Sequence, residues 1–156
     1  MFRGFVVEEN ASVRATLVEG LAELAGVTTV GFAQDERTAI AWLTDPANEW
    51  DLAVVDLHLG GSGTGYGMLE ALALRQPHQR VVVWTAAASD SQEASRCLEL
   101  GVDRVFDRAT GNAKLMEYCM EQSEAQALAA LSSGRFPPGK PRVKPPRSTF
   151  AALFST

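Results

Sequence analysis

Along the first 134 residues, hydrophobic and polar positions follow two rhythms in turn. Short apolar runs, FVV (5–7), VTTVGF (27–32), LAVVD (52–56), VVVWT (81–85) and RVFD (104–107), are rich in valine and do not alternate with polar residues. That is the pattern of strands covered on both faces, and it predicts buried parallel strands. Between the runs, apolar residues recur three or four apart, as on one side of a helix: Val13, Leu17, Leu21 and Leu24; Ala39, Ile40 and Leu43; Met68, Leu69 and Leu72; Ala94, Cys97 and Leu98; Leu115, Cys119 and Met120. These stripes are expected to pack the core. Asn10 or Ser12 and Asp35 are placed to cap helix starts, Gly26 and Gly101 to end helices, and Pro77 to stop the third helix. Five strand–helix units result, a (βα)5 chain. Right-handed crossovers fold such a chain into an α/β doubly wound, five-stranded parallel sheet of the flavodoxin-like kind, with ligands bound outside the carboxyl ends of the strands near a topological switch point.

Polar residues at strand ends should then converge on one edge of the sheet. The first strand ends in Glu8 and Glu9, the third in Asp56, the fourth in Thr85, and the fifth in Asp107 and Arg108. Singly, each has a plain reading as a solvated or capping residue. Together they raise an electrostatic problem, because two unit charges ~4 Å apart repel by about 4 kcal/mol at an effective dielectric of 20. Arg108 is too little to neutralise three carboxylates. Oxygen donors without a histidine cluster or a thiolate pair suit a hard divalent cation such as Mg2+. A cation, a hydroxyl and a fixed positive charge beside a carboxylate are the parts of a phosphoryl-transfer site, and Asp56 is the candidate nucleophile. It precedes the glycine-rich loop LHLGGSGTGYG (57–67), which would let a phosphoryl donor approach the backbone.

The stretch from about Phe2 to about Ser132 resembles the receiver domain of two-component response regulators in the order and spacing of these residues. The resemblance implies that Glu8 and Glu9 bind Mg2+ with Asp56 and the backbone carbonyl of His58. It also implies that Asp56 accepts a phosphoryl group from a histidine kinase or histidine phosphotransfer protein, and that Thr85 and Arg108 bind the resulting dianion. The surface of the fourth helix, fifth strand and fifth helix would then rearrange and switch partner binding, with homodimers through helices 4 and 5 as one form. Such self-catalysed transfer to its own Asp would not make the chain an enzyme in the ordinary sense.

Four departures from the family pattern bear on that expectation. Glu9 carries one methylene more than the usual Asp. Arg108 stands where the family has Lys, followed by Ala109 and Thr110 where proline is usual. Val105 occupies the usual aromatic switch position, and the loop after Asp56 is lengthened. The competing reading is a pseudo-receiver, a protein-interaction module that keeps the fold without needing phosphorylation. A haloacid-dehalogenase-like phosphatase fits less well, because it wants a second acid where His58 stands.

Composition changes the picture mainly at the end of the chain. At 156 residues, 46% hydrophobic and 21% charged, the profile is that of one globular domain. No apolar run reaches the roughly 20 residues of a bilayer span, and acid comes too early for a secretory signal, so a cytoplasmic protein is expected. Cys97 and Cys119 are expected to be reduced core thiols. Trp42, Trp50 and Trp84 are expected to pack at element margins, and His58 and His78 to be loop residues. Residues 1–134 hold nine basic and nineteen acidic side chains, net −10, whereas residues 135–156 hold five basic and none acidic. Five of the seven prolines lie in that last segment, which reads as an extended tail. The sequence therefore divides into a receiver-like domain, 1–133, and a basic tail, 134–156. Neither leaves room for a DNA-binding output module, so a stand-alone regulator is expected. The tail is expected either to stay solvated or to fold back on the acidic domain, and nucleic-acid binding is disfavoured because that domain repels phosphates.

Overall fold

The computed structural model describes residues 1–59, 65–86, 88 and 90–132. The tail and the middle of the glycine-rich loop therefore lie outside the described residues. The elements run β1 (Phe2–Val7), α1 (Ala11–Ala25), β2 (Val27–Ala33), α2 (Glu36–Leu43), β3 (Leu52–Val55), α3 (Tyr66–Leu72), β4 (Arg80–Thr85), α4 (Ser91–Glu99), β5 (Arg104–Asp107) and α5 (Asn112–Ser132). By contact, residues 1–123 form one compact unit.

All strand pairs are parallel, in the order β2-β1-β3-β4-β5. The chain leaves β1 toward one edge of the sheet and returns to β3 on the other side, so the switch point lies between β1 and β3. The apolar runs do not alternate because each strand serves two cores. Phe5, Val7, Ala53, Val55, Val81 and Val83 face α2, α3 and α4, where they pack with Leu43, Met68, Leu69, Leu72 and Cys97. Val6, Leu52, Val54, Val82, Trp84 and Phe106 face α1 and α5, where they meet Leu17, Leu21, Leu115, Tyr118 and Cys119.

Two-sided burial holds for β1, β3 and β4 but not for the edges. β2 alternates buried and exposed positions, and Phe32 at its end is half exposed, covered by the Arg14 guanidinium 4.1 Å above its ring. Three helix positions expected in the core also point outward: Leu24, Leu98 and Met120. Each lies beside a core position that takes the inward direction, Ala25, Cys97 and Cys119 respectively. A stripe one residue wider than the buried arc spills over the rim of the helix.

Of the punctuation, Asn10 rather than Ser12 caps α1, its Oδ1 accepting from the Val13 N–H at 2.9 Å, and Asp35 caps α2 through Thr38. That bond to Thr38 holds the Asp35 carboxyl below its ordinary value. Gly26 ends α1 in the left-handed conformation at φ 69°. Pro77 does not stop the third helix. α3 ends five residues earlier, at Leu72, whose carbonyl accepts from Arg75 Nη1 at 3.0 Å. The same guanidinium reaches the carbonyls of Gln79 and Gly101 and the carboxylate of Asp103, so one side chain ties the end of α3 to the approaches of β4 and β5.

The amino end of the sheet is fixed by a charge that sequence reading passed over. Asp51, fully buried before β3, accepts from the Arg3 backbone N–H at 2.7 Å and from Arg3 Nε at 3.0 Å. Its carboxylate holds the Arg3 guanidinium above its ordinary value. Removing one partner leaves the other polar groups unpaired, so Asp51→Ala is expected to lower unfolding stability by about 2–3 kcal/mol in urea titrations. Both cysteines are free and buried. Burial pushes the Cys97 thiol up to about 11 and the Cys119 thiol up to about 12. Both folded values lie above the ordinary thiol value of 9.0, so the neutral thiols favour the fold fully below pH 9.0. That contribution falls away as pH rises through about 11 and 12. Thiol labelling of the native protein at pH 8 should be slow, and should become fast only on unfolding.

Candidate functional site

The strand ladders continue one residue past three strand ends, and those residues carry the site. The Glu8 N–H donates to the Ala33 carbonyl at 3.0 Å, the Asp56 N–H to Val7 at 3.0 Å, and the Arg108 N–H to Thr85 at 3.2 Å. Each backbone is thus held in the plane of the sheet while its side chain points beyond the edge. Glu8 and Asp56, from adjacent strands at the switch point, are each only 3% exposed. Such burial of carboxylates requires partners.

The partner they share is Arg108. Its Nη1 donates to Asp56 Oδ2 at 2.6 Å and stands 3.1 Å from Glu8 Oε1. The second contact is an ion pair by distance but lacks hydrogen-bond geometry, so Glu8 Oε1 is a buried oxygen with no hydrogen-bond donor. Glu8 Oε2 accepts from the Asn10 N–H at 2.9 Å, and the Glu8 carbonyl accepts from Arg14 Nη1 at 2.8 Å. Asp56 Oδ1 accepts from the His58 N–H at 3.1 Å. Two buried anions therefore face one monovalent cation, and a carboxylate oxygen remains without a donor. That donor set fits a hard cation.

Of the residues singled out from sequence, the fold brings Glu8, Asp56 and Arg108 into contact. Thr85 is fully buried at the end of β4, in register with Asp107. Glu9 is at the same edge but exposed, and among the described residues no three acidic, imidazole or thiolate side chains gather closely enough to hold a metal. Asp107 belongs to the turn rather than to the site: its Oδ1 accepts from the N–H groups of Ala109 and Thr110 at 2.7 and 3.1 Å. The exposed imidazole of His58 reaches Glu93 of α4, with Nε2 3.1 Å from Oε1. Val105 is partly buried against the α2–α4 core.

Sequence reading missed the ring beside the site. The Arg108 guanidinium carbon lies 4.6 Å from the centroid of the Trp84 ring, whose Nε1–H donates to Asn112 Oδ1 at 2.9 Å. Trp84 is a largely buried side chain of the α1–α5 core rather than a marginal one. The available signal was its place immediately before Thr85, which turns it to the opposite face of the sheet from the threonine.

A family model for the response regulator receiver domain matches residues 5–120. The chain belongs to this family. Similar curated proteins include protein-glutamate methylesterase/protein-glutamine glutaminase 5 of Myxococcus xanthus. It is 30% identical over 138 residues, covering 87% of this chain and 39% of that protein. The protein of the same name from Anaeromyxobacter dehalogenans is 28% identical and is covered over 38% of its length. This receiver thus spans less than two fifths of these relatives, and the activities in their names are properties of those longer proteins. Among solved structures, the response regulator domain of Thermotoga maritima CheB matches with a TM-score of 0.66 at 18% identity, covering 78% of this chain and 96% of that one. The non-phosphorylated HemR receiver domain from Leptospira biflexa matches with a TM-score of 0.63 at 26% identity, covering 78% and 93%. The doubly wound fold expected from the sequence is therefore that of known receivers. Among the described residues no helix is long and apolar enough to cross a membrane.

The segment that carries Asp56 is braced in this receiver by Gly65. Gly65 has φ +83°, and a Cβ there would lie 2.8 Å from the Leu57 Cα and 2.9 Å from its carbonyl oxygen. Its N–H donates to Glu36 Oε1 at 3.1 Å. Gly65→Ala should force Leu57 and its neighbour Asp56 to shift, costing about 2 kcal/mol or more in thermal or urea unfolding. Ala at Gly101 carries the same kind of backbone strain, at φ +97°, but its Cβ would meet nothing within 4 Å, so it should cost less.

Proposed function

We propose that this receiver accepts a phosphoryl group on Asp56 from a phosphohistidine of a histidine kinase or phosphotransfer protein, and that the modification switches its binding to a downstream protein. The observation that carries this reading is the placement of Asp56. It is a buried carboxylate at the switch point, beside a second buried carboxylate and with a guanidinium on Oδ2. In the transfer, an Asp56 oxygen forms a bond to phosphorus as the phosphorus–nitrogen bond of the donor breaks, and the departing imidazole takes a proton from solvent. The products are an acyl phosphate and a neutral histidine.

Mg2+ would be held by Glu8, Glu9, Asp56 and the His58 backbone carbonyl, and when bound it supplies charge neutralisation for the phosphoryl oxygens. Glu9 must turn inward from its exposed position to join that set, which its extra methylene permits. Arg108 leaves the Asp56 carboxylate and meets the new dianion, with the Thr85 hydroxyl as a neutral donor beside it. Partner binding would then follow from movement of α4, β5 and α5. Leu98 of α4, 52% exposed, and Met120 of α5, 40% exposed, supply apolar surface there for a protein partner or a second copy.

One observation favours the second reading, a pseudo-receiver that binds partners without phosphorylation: Arg108 already spans Glu8 and Asp56. The two separate on treatment with acetyl phosphate or phosphoramidate and Mg2+, followed by intact-mass measurement. The switch reading predicts one added phosphoryl group, dependent on Mg2+ and absent in Asp56→Asn. An unchanged mass at saturating donor and Mg2+ would establish the pseudo-receiver.

A further inference from the structure

The site contains a side-chain assembly with no counterpart in the expectations drawn from sequence. The guanidinium of Arg108 is held from two sides. Its Nη1 lies between Asp56 Oδ2 and Glu8 Oε1, and its carbon lies against the Trp84 ring. The ring is itself fixed, buried in the α1–α5 core and hydrogen-bonded from Nε1 to Asn112 Oδ1. The turn carrying Arg108 is fixed without proline, by Asp107 Oδ1 accepting from Ala109 and Thr110 and by the Gly111 N–H donating to the Asp107 carbonyl at 2.7 Å. Both ends of the arginine are therefore placed, the backbone by the turn and the guanidinium by the indole.

We propose that Trp84, braced by Asn112, is a positioning residue that holds Arg108 in the acidic pocket as a resident counter-ion, so that the guanidinium and Mg2+ compete for Glu8 and Asp56. The inference rests on the reading that this pocket takes Mg2+. Three observations carry it. A planar guanidinium can lie on an indole face while its edge donates to a carboxylate, which the compact ammonium of lysine cannot do in the same way. The departure from lysine to Arg108 and the presence of a ring at residue 84 thus explain each other. Asp56 Oδ2 and Glu8 Oε1, the carboxylate oxygens that meet Arg108, belong to residues proposed to hold the metal, so the two cations share partners. Finally, Glu8 Oε1 lacks a hydrogen bond even with Arg108 in place, so the pocket retains capacity that a divalent ion fills better than a single guanidinium nitrogen. Trp84 also lines a groove of about 860 Å3 between α1 and α5, with Val13, Leu17 and Met116. When the guanidinium leaves, the indole loses the cation on its face, and the change reaches that groove by a route that needs no aromatic residue at Val105.

The test is Mg2+ titration by calorimetry on the full chain and its variants, without any phosphodonor. Arg108→Ala should bind Mg2+ about tenfold tighter or more, because the competing charge is gone. Trp84→Leu should bind about threefold tighter, the size expected from losing one cation–π contact, and Trp84→Phe should stay closer to wild type. The deciding variant is the double one: in an Arg108→Ala background, Trp84→Leu should have no further effect on Mg2+ affinity. The Trp84 indole N–H resonance, assigned by its loss in Trp84→Phe, should shift on adding Mg2+ to wild type and stay fixed in Arg108→Ala. Because Trp84 is buried, Arg108→Lys provides a second comparison that leaves the core intact, and it too should bind Mg2+ more tightly than wild type. Failure of Arg108→Ala to bind Mg2+ more tightly than wild type overturns the proposal. So does a Trp84→Leu effect that persists without Arg108, since that would make the indole a structural residue only. Phosphorylation of Asp56 is read separately by mass, so a competing guanidinium in a chain that takes no phosphoryl group would refute the proposed function and leave this inference standing.

Discussion

Two buried negative charges at the ends of neighbouring strands set the terms for everything else at this edge of the sheet. Glu8 and Asp56 are placed there by backbone hydrogen bonds that extend the ladders of β1 and β3 by one residue, so neither carboxylate can retreat without opening a parallel sheet. An ionised carboxylate taken out of water without a partner costs several kcal/mol, and two together add their mutual repulsion. A cation must stand between them. In this structure the cation comes from the end of β5, and the fold that delivers it is the same fold that creates the need for it.

That arrangement links packing to chemistry. The order β2-β1-β3-β4-β5 puts the acids at the switch point and brings Arg108 across two strands to reach them. The amino end of the sheet is locked by Asp51 and Arg3, and the connections into β4 and β5 by Arg75. These ties lie away from the acidic edge and do not involve its charges. The proposed function, in which the site trades a guanidinium for a metal and a phosphoryl group, calls for strands that do not move.

The fold was readable in the sequence because its rule is simple. Strands covered twice need consecutive apolar residues, and Phe5–Val7 of β1, Leu52–Val55 of β3 and Val81–Trp84 of β4 supply them. The rule weakens at the edges, where β2 shows alternation, and at helix rims, where Leu24, Leu98 and Met120 continue a stripe past the buried arc. Strand ends are also fixed by backbone geometry, and for that reason Glu8, Asp56, Thr85 and Arg108 could be named in advance. What could not be read was set by side-chain length and direction. The approach of Arg108 to both acids depends on how a long side chain folds over Trp84, and Glu9, in the bend that follows β1, is exposed although Glu8 beside it is buried. Asp51 escaped notice because an acid just before a strand looks like a loop residue until the neighbouring arginine is seen above it.

A crystal structure of the protein with Mg2+ and beryllofluoride tests the central claim most directly. The account predicts beryllium bound to an Asp56 oxygen, a metal ion held by Glu8 and Asp56, and the Arg108 guanidinium withdrawn from the space between the two acids. Under saturating reagents, an Asp56 carboxylate still bound to Arg108, with no metal beside Glu8, would contradict it.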